Sequence, residues 1–237
     1  MSTIFQFKQF RIDQSNCAMK VNTDGVLLAA LAEFRSPAKI LDVGTGTGLI
    51  ALMLAQKYPS AFIQAVEIDE NAAKTAKSNF LNSPFFKRIQ LFHSSIKDHF
   101  INMEEKYDLI ISNPPFFINS LNPLNSERGL ARHTDVSFFE LLLTESERHL
   151  NQTGHICIIL PLQTAELVMK LVSSSGVLKV QKEILIHSFP ESKPHRIIVV
   201  LGLEKPIPIK QKLVIYKSKG IYSTVYSNLL KDYLTIF

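Results

Sequence analysis

Cysteine is scarce in this chain, which limits the kinds of site it can form. Only Cys17 and Cys157 occur in 237 residues, far apart and without the close spacing of metal-binding cysteines. The sequence therefore predicts neither a disulfide framework nor a zinc site, and we expect no bound metal.

Long apolar runs are also missing. No uninterrupted hydrophobic stretch approaches the length that a membrane-spanning helix needs. The first residues mix Gln, Lys, Arg and Asp with apolar side chains, which excludes a secretory signal. Internal repeats and low-complexity linkers are absent from the sequence as well. These features predict a cytoplasmic protein without a membrane anchor.

The composition that is present suits one folded domain. A chain of 237 residues with 46% hydrophobic content can bury one substantial core. We expect a single domain over residues 1–237, with an N-terminal extension at 1–36 and a basic C-terminal extension at 204–237. The formal net charge of +5 mildly favours an anionic partner.

Short apolar runs alternate with longer amphipathic ones from Ala38 onward, the pattern of parallel strands joined by helices. The predicted strands cover 39–43, 62–67, 89–92, 108–112 and 155–160. The predicted helices cover 49–58, 70–82, 137–149 and 163–173, with Asp69 and Ser137 as N-caps. Two further β runs, at 179–186 and 196–203, add an antiparallel pair. The fold class is therefore α/β, a doubly wound Rossmann-like sheet of seven strands, mostly parallel, with an antiparallel edge hairpin.

Before this sheet, residues 4–12 alternate apolar with polar side chains and predict a strand or hairpin. Residues 26–34 are mostly apolar and predict a helix.

The first predicted strand runs into a glycine-rich turn at residues 42–48, Asp-Val-Gly-Thr-Gly-Thr-Gly. Gly44, Gly46 and Gly48 allow the backbone to approach a ligand closely where a strand turns into a helix. The same string could bind a dinucleotide or only make a tight turn, so the loop alone leaves the ligand open.

An acidic residue ends the second predicted strand. Glu67 lies 19 residues after Gly48, close to the spacing at which a carboxylate meets a ribose in such folds. An ionised carboxylate can accept hydrogen bonds from both hydroxyls of the ribose. We assign Asp42, Glu67 and Ile68 to the cofactor site together with the glycines, whereas Asp69 is better explained as a helix cap.

A pair of serines follows the third predicted strand. At this edge of the sheet a hydroxyl could contact an adenine ring, and we assign Ser95 to that role, with Ile96 covering the face of the ring. The alternative for Ser94 and Ser95 is a plain turn, where serine bonds to its own backbone.

The fourth predicted strand ends in Asn113-Pro114-Pro115-Phe116, beside the switch point of a doubly wound sheet, where ligands bind. An exocyclic amine is a poor nucleophile because its lone pair is delocalised into the adjoining ring. The Asn113 side-chain oxygen and the Pro114 carbonyl oxygen can each accept one N–H, which localises the lone pair for attack on a methyl group. The prolines hold the backbone oxygen rigidly, and Phe116 can stack on the base. The alternative is a structural turn capped by Asn.

The order of these motifs resembles the class I S-adenosylmethionine-dependent amino-methyltransferases. The segment 5–10, the string Met-Lys-Val-Asn-Thr-Asp-Gly-Val-Leu-Leu at 19–28, Ala131-Arg132-His133 and the strand entry at 194–196 are similar to the bacterial tRNA1(Val) adenine-37 N6-methyltransferase family. This similarity spans nearly the whole chain.

The resemblance implies S-adenosylmethionine as cofactor, tRNA as partner and N6 of adenine 37, next to the anticodon, as the methylated atom. It also implies that Lys20, Thr23 and Asp24 lie at the methionine end of the cofactor and that residues 113–116 hold the adenine. Asn22 stands where the family pattern predicts glycine. From chemistry alone, Thr23 and Asp24 could equally cap a helix starting near Gly25.

Other functions share these motifs. Guanine N2 methylation of rRNA and methylation of a glutamine amide in protein need the same two oxygens. A non-catalytic RNA-binding module could keep the fold. A dehydrogenase would use the glycine loop and Glu67, but the glycine spacing differs from the dinucleotide fingerprint and the residues after Asn113 would go unexplained.

The C-terminal segment favours RNA as the partner. Between Lys205 and Lys231 there are six lysines and no acidic residue, with three tyrosines interleaved. Lysines that neutralise phosphates give sequence-independent affinity, and a solvated charged face is the alternative. Arg132 could likewise contact phosphate or pair with Asp135. We expect a monomer that binds tRNA.

Overall fold

The computed structural model describes residues 3–15, 20–101, 104–114 and 127–237, and the side chains of 127–135 lie outside the description. The described strands, in chain order, are β1 (Ile4–Gln6), β2 (Arg11–Asp13), β3 (Lys39–Val43), β4 (Phe62–Glu67), β5 (Ile89–His93), β6 (Tyr107–Ser112), β7 (Leu150–Leu160), β8 (Lys179–His187), β9 (Pro194–Gly202), β10 (Ile209–Val214), β11 (Tyr216–Ser218) and β12 (Ile221–Tyr222).

Helices fill most of the connections between these strands. The described α-helices are α1 (Thr23–Leu31), α2 (Leu49–Lys57), α3 (Glu70–Leu81), α4 (Ile96–Phe100), α5 (Glu127–His149), α6 (Leu162–Ser175) and α7 (Thr224–Leu230). None of the helices within the described ranges has both the length and the hydrophobicity to cross a membrane.

An eight-stranded sheet forms the centre, in the order β10-β8-β9-β7-β6-β3-β4-β5. The strands from β5 to β7 pair in parallel, β9 is antiparallel to both β7 and β8, and β10 is parallel to β8. All of these strands except β9 therefore run in one direction, and their carboxyl ends share one edge of the sheet. The chain switches from one side of β3 to the other between β5 and β6, so the switch point lies between β3 and β6.

The prediction of seven strands is wrong by one, because β10 adds a strand in the segment predicted as a basic extension. Residues Ile209 to Lys212 are all exposed, and Leu213 is the first buried position. A strand at the edge of a sheet can be polar, and lysines there discourage pairing with another chain. The sequence of this strand, with its exposed lysines, is therefore hard to distinguish from that of a charged tail.

Helix starts were predicted with mixed success. Asp69 caps α3, as predicted, by accepting a hydrogen bond from the Ala72 N–H at 2.8 Å. Ser137 is not an N-cap, because it lies inside α5, which starts ten residues earlier. The helix predicted at 26–34 starts at Thr23, because Asn22 caps it.

The core lies on both faces of the sheet. Alternate strand residues point to opposite faces, so Ile40 and Leu109 belong to one buried cluster and Leu41 and Ile110 to the other. The first cluster also contains buried residues of the β1–β2 hairpin, α1, α2 and the C-terminal residues. The second contains buried residues of α4, α5 and α6. The sheet therefore has helices on both faces.

Candidate functional site

A pocket of about 340 Å³, counting the space open to solvent, lies at the carboxyl edge of the sheet, beside the switch point between β3 and β6. It brings together predicted site residues from three separate parts of the chain, Lys20, Gly44, Gly46 and Asn113. The other lining residues were not predicted as site residues and are Asn22, Gly25, Thr45, Thr47, Leu49 and Ile50. All of these are near neighbours of the predicted motifs, so their proximity was the available signal.

The start of α1 forms one wall of the pocket. The Asn22 side chain accepts a hydrogen bond from the Gly25 N–H at 2.9 Å, so Asn22 is the cap of the helix rather than Thr23 or Asp24. Its φ of −135° is extended, so a residue other than glycine fits without strain. A Cβ on Gly25 would lie 3.1 Å from Leu49, so this glycine allows α1 to approach α2 closely.

The three predicted glycines divide into two roles. Gly44 and Gly46 have φ values of +72° and +58°, and a Cβ at either would meet nothing within 4 Å, because both face open space. A Cβ on Gly48 would lie 2.4 Å from the ring of Phe80. Gly48 does not line the pocket, and its role in the described structure is to let α2 pack against α3.

Glu67 braces the glycine loop. One carboxylate oxygen accepts the Gly46 N–H at 2.8 Å, and the other accepts the N–H groups of Ile68 and Asp69, both at 2.9 Å. Glu67 is buried and is not among the pocket-lining residues. A carboxylate can accept about four hydrogen bonds, so these three leave capacity for about one more.

Asp42 is fully buried beneath the same loop. Its Oδ2 accepts hydrogen bonds from the Thr45 hydroxyl at 2.6 Å and from the Ala51 N–H at 3.2 Å, whereas Oδ1 has no partner among the described residues. Burial, with a smaller contribution from the nearby Glu67 carboxylate, raises the pKa of Asp42 to about 7. Asp42 therefore holds the turn from beneath rather than from inside the pocket.

Asn113 follows β6 directly into the pocket. The Ser112 hydroxyl donates to the Val43 carbonyl oxygen at 2.9 Å, which ties the end of β6 to the end of β3. Asn113 is 8% exposed, and its side-chain oxygen is buried with no hydrogen-bond partner among the described residues. Pro114 is also buried. The predicted site residues Pro115 and Phe116 lie outside the described residues.

Asp24 makes an ion pair rather than lining the pocket. Its Oδ2 accepts a hydrogen bond from Arg196 Nε at 2.7 Å. Arg196 stands near the start of β9, so the pair joins the first turn of α1 to β9 at the carboxyl edge of the sheet. Thr23 is the first residue of α1 and does not line the pocket. The Arg132 side chain is outside the description.

Ile68, predicted to lie in the cofactor site, follows the end of β4, and the predicted adenine contact Ser95 follows the end of β5. Ile68 is 70% exposed, which is unusual for a large apolar side chain at the end of a buried strand. The Ser95 hydroxyl caps α4, accepting the Asp98 N–H and donating to the Asp98 carboxylate. The Ser94 hydroxyl is buried and has no partner among the described residues. The structure therefore leaves Ser94, not Ser95, with a free hydroxyl.

Asn79 is a positioning residue that the sequence did not reveal. It is buried on α3, where its side-chain N–H groups donate to the Thr47 carbonyl oxygen at 2.9 Å and to the Asp13 carbonyl oxygen at 2.8 Å. Its side-chain oxygen accepts the Asp13 N–H at 2.9 Å. Asn79 thus fastens the glycine loop to the β1–β2 hairpin, although both partner residues are distant in sequence.

The described ranges contain no group of three or more His, Cys, Asp or Glu side chains that could hold an ion. Cys157 is buried with a free thiol, and burial raises its pKa to about 12.

Comparison with known proteins shows which family this chain is similar to. The family model described as methyltransferase small domain matches residues 17–186. A curated tRNA1(Val) (adenine(37)-N6)-methyltransferase from Pedobacter heparinus is 48% identical over 238 residues and covers 100% of both chains. One of the same name from Parabacteroides distasonis is 39% identical, over 97% of this chain and 96% of its own length.

The fold is shared with solved methyltransferases. A predicted O-methyltransferase from Agrobacterium tumefaciens aligns with a TM-score of 0.67 at 17% identity, covering 89% of this chain and 96% of its own. Identity at that level supports the fold and not the substrate. The full-length similarity to curated relatives and the match to the family model therefore show that the chain belongs to the tRNA1(Val) (adenine(37)-N6)-methyltransferase family, within the methyltransferase small domain enzymes.

Proposed function

We propose that this protein transfers a methyl group from S-adenosylmethionine to N6 of adenine 37 in tRNA1(Val). The observation that carries the proposal is the buried side-chain oxygen of Asn113 at a glycine-lined pocket, which has no hydrogen-bond partner among the residues that the structure describes. A buried polar atom without a partner is costly in a folded protein, so its retention suggests a ligand that supplies the missing hydrogen. The names of the curated relatives indicate which amine that is.

The pocket fits the cofactor in its backbone and its donors. Gly44 and Gly46 leave open space where any other residue would place a Cβ, which suits close approach of a ligand to the loop. Glu67 retains capacity to accept one ribose hydroxyl while it braces the loop. Lys20 lines the pocket and can neutralise the carboxylate of the methionine moiety. When bound, S-adenosylmethionine supplies an electrophilic methyl group on a sulfonium.

Several predicted residues keep indirect roles in this proposal. Asp42 and Gly48 shape the glycine loop, and Asp24 anchors the start of α1 through Arg196.

Ile68 offers an exposed apolar surface for the adenine of the cofactor. We propose the Ser94 hydroxyl rather than that of Ser95 as the adenine contact, because Ser95 already caps α4.

The chain's own contribution to the reaction is to orient the amine. The Asn113 oxygen and the Pro114 carbonyl oxygen each accept one N–H of the target amine, which directs its lone pair at the methyl group. The same two bonds stabilise the positive charge that develops on the nitrogen in the transition state. Phe116 stacks on the extruded base. The reaction needs no strong general base, because the nitrogen becomes acidic once it has gained the methyl group and can then lose its proton to water.

The alternatives are weaker for specific reasons. Guanine N2 and glutamine amide nitrogens would suit the same oxygens, but the relatives carry the name of an adenine enzyme. A non-catalytic RNA-binding module has no use for the buried Asn113 oxygen. A dinucleotide enzyme is disfavoured by the glycine spacing. We also propose that the protein acts as a cytoplasmic monomer. Light scattering of the purified protein tests its oligomeric state.

The decisive experiment uses purified protein, labelled S-adenosylmethionine and RNA from cells that lack the enzyme. After the reaction, the RNA is digested to nucleosides, and oligonucleotide mapping locates the label. We expect N6-methyladenosine at position 37 of tRNA1(Val). Label in N2-methylguanosine, or in protein added to the same reaction, would overturn the proposal. Calorimetry with NAD in place of S-adenosylmethionine should show no binding.

A further inference from the structure

The lysine-rich C-terminal segment is not one surface in the folded protein. Lys205 precedes the amino end of β10, and Lys217 follows its carboxyl end. Because β10 runs parallel to β8, these two lysines lie at opposite edges of the sheet. Lys217 and Lys219 are exposed on the hairpin of β11 and β12. This hairpin therefore lies at the carboxyl edge of the sheet, the edge that also carries the pocket.

The turn between β8 and β9, residues 188–193, lies at the same edge. It carries the exposed residues Phe189 and Lys193. The Tyr216 N–H donates to the Ser188 carbonyl oxygen at 2.9 Å, and Lys212 Nζ donates to the Pro190 carbonyl oxygen at 2.6 Å. The first bond joins the turn to the hairpin and the second joins it to β10, so turn and hairpin form one surface. We call the surface formed by Phe189, Lys193, Lys217 and Lys219 the basic rim.

An aromatic stack supports the basic rim from below. The rings of Tyr216 and Tyr222 lie 5.0 Å apart and those of Tyr222 and Tyr226 lie 5.1 Å apart, with interplanar angles of 21° and 14°. Phe189 lies at the end of this stack, 5.6 Å from Tyr216 and tilted by 33° to its ring. Tyr226 is 7% exposed, whereas Phe189 is 40% exposed. The stack therefore runs from the core to an aromatic ring that is open to solvent.

The charges of the basic rim are available to a partner. None of its three lysines pairs with a carboxylate in the part of the chain that the structure describes. Glu191 is exposed in the same turn and offsets part of this charge. The β8–β9 turn of the rim is close to the pocket, because Arg196, three residues after Lys193, bonds to Asp24, whose neighbour Gly25 lines the pocket.

We propose that the basic rim is the docking surface for RNA, with its lysines on phosphates that flank the target nucleotide and a base stacked on Phe189. This inference rests on the proposed function, since it assumes an RNA whose target base enters the pocket. Phosphates attract lysines regardless of sequence, and every base can stack on an exposed aromatic ring. Neighbouring strands are about 4.8 Å apart, so the start of β9 lies about 10 Å from β6, two strands away.

The test compares two charge reversals by fluorescence anisotropy with an unmodified tRNA1(Val) transcript at several salt concentrations. We expect Lys217→Glu with Lys219→Glu to weaken binding about tenfold or more and to reduce the salt slope by about 1 to 2. The control is Lys170→Glu with Lys205→Glu, an equal charge change at exposed sites on α6 and at the amino edge. The control should weaken binding much less, and all variants should bind S-adenosylmethionine like wild type.

Three single substitutions examine Phe189 and the neighbouring Glu191. Phe189→Ala should weaken tRNA binding about tenfold, because one base loses its stacking partner, and Phe189→Tyr should restore it. Glu191→Gln should tighten binding, since it removes the opposing charge. Thermal unfolding confirms that each variant is folded.

The outcomes separate the two proposals. If wild type methylates tRNA but the hairpin variant binds no worse than the control, the rim proposal is overturned while the enzymatic proposal stands. If wild type neither binds nor methylates any tRNA, the proposed function itself fails. An effect of Phe189→Ala that Phe189→Tyr does not rescue would overturn the stacking role.

Discussion

At the scale of single residues, the chemistry of the site depends on Asn113. Its side-chain oxygen is buried at the pocket, and its backbone is fixed because Ser112 bonds to Val43. In the proposed mechanism that oxygen accepts a hydrogen bond from the target amine, so its main effect should appear in the transition state.

We predict that Asn113→Ala lowers kcat for tRNA methylation by about 100-fold or more, since one preorganised hydrogen-bond acceptor is lost. Affinity for S-adenosylmethionine should remain close to wild type. Steady-state kinetics and calorimetry measure the two quantities separately. A parallel loss of cofactor affinity would show that Asn113 acts on the cofactor instead.

Glu67 should show the opposite pattern. We predict that Glu67→Ala weakens S-adenosylmethionine binding, because it loses a ribose contact and also frees the N–H groups of Gly46, Ile68 and Asp69. Glu67→Gln should weaken it less, since the amide oxygen can still accept one of these bonds. Calorimetry that gives wild-type affinity for Glu67→Ala would assign the ribose to another residue.

Sequence reasoning placed the residues that belong to local motifs. Gly44, Gly46 and Asn113 follow strands directly, so the topology of a parallel sheet brings them to one edge. It could not place pairs that fold together from distant segments. Asp24 and Arg196 are 172 residues apart in the chain, and Asn79 meets Asp13 across 66 residues. No local pattern encodes such contacts.

At the scale of elements, the C-terminal segment differs most from its prediction. It supplies β10 and α7, and Leu230 and Tyr233 join the main core. The lysines of this segment predict a solvated extension, and its few buried residues are too widely spaced to give the hydrophobic pattern of a strand or helix. By contrast, β3, β4 and β6 were predictable, because strands covered on both faces are almost continuously apolar.

Packing of α7 provides a test of that difference. We predict that Leu230→Ala lowers the free energy of unfolding by about 2 to 5 kcal/mol, because the side chain is fully buried. Val225→Ala is the matched control on the same helix, where the side chain is 64% exposed and the loss should be under about 1 kcal/mol. Urea unfolding followed by circular dichroism measures both. Equal effects would mean that α7 is not part of the core.

At the scale of the whole molecule, the core clusters connect all of the described segments. The β1–β2 hairpin, α1 and the C-terminal residues share one buried cluster with the sheet. We propose that residues 1–237 form a single domain, and we predict one cooperative unfolding transition. Circular dichroism and tyrosine fluorescence should give coincident urea midpoints. A separate transition for either terminal segment would contradict this proposal.

Two buried groups give the protein opposing dependences on pH. Burial raises the pKa of Asp42 to about 7 and lowers the pKa of His99 to about 4. Between pH about 4 and 7, the unfolded chain has lost the Asp42 proton that the folded protein keeps, so rising pH destabilises the fold. Between about 4 and 6.5, the unfolded chain binds a His99 proton that the folded protein does not, so rising pH stabilises it.

Removing one group should reveal the other. We predict that the difference in unfolding free energy between Asp42→Asn and wild type increases between pH about 4 and 7, by at most about 1.4 kcal/mol per pH unit. His99→Gln should show a relative decrease. Urea titrations at several pH values measure both differences. A difference that stays constant with pH would show that the group is not titrating in this range.

The Asn79 side chain joins Thr47 in the glycine loop to Asp13 in β2 through three hydrogen bonds. A ligand that immobilises the loop should therefore also restrict the N-terminal hairpin, none of whose described residues lines the pocket. On cofactor binding, slowed amide hydrogen exchange should thus spread into the hairpin.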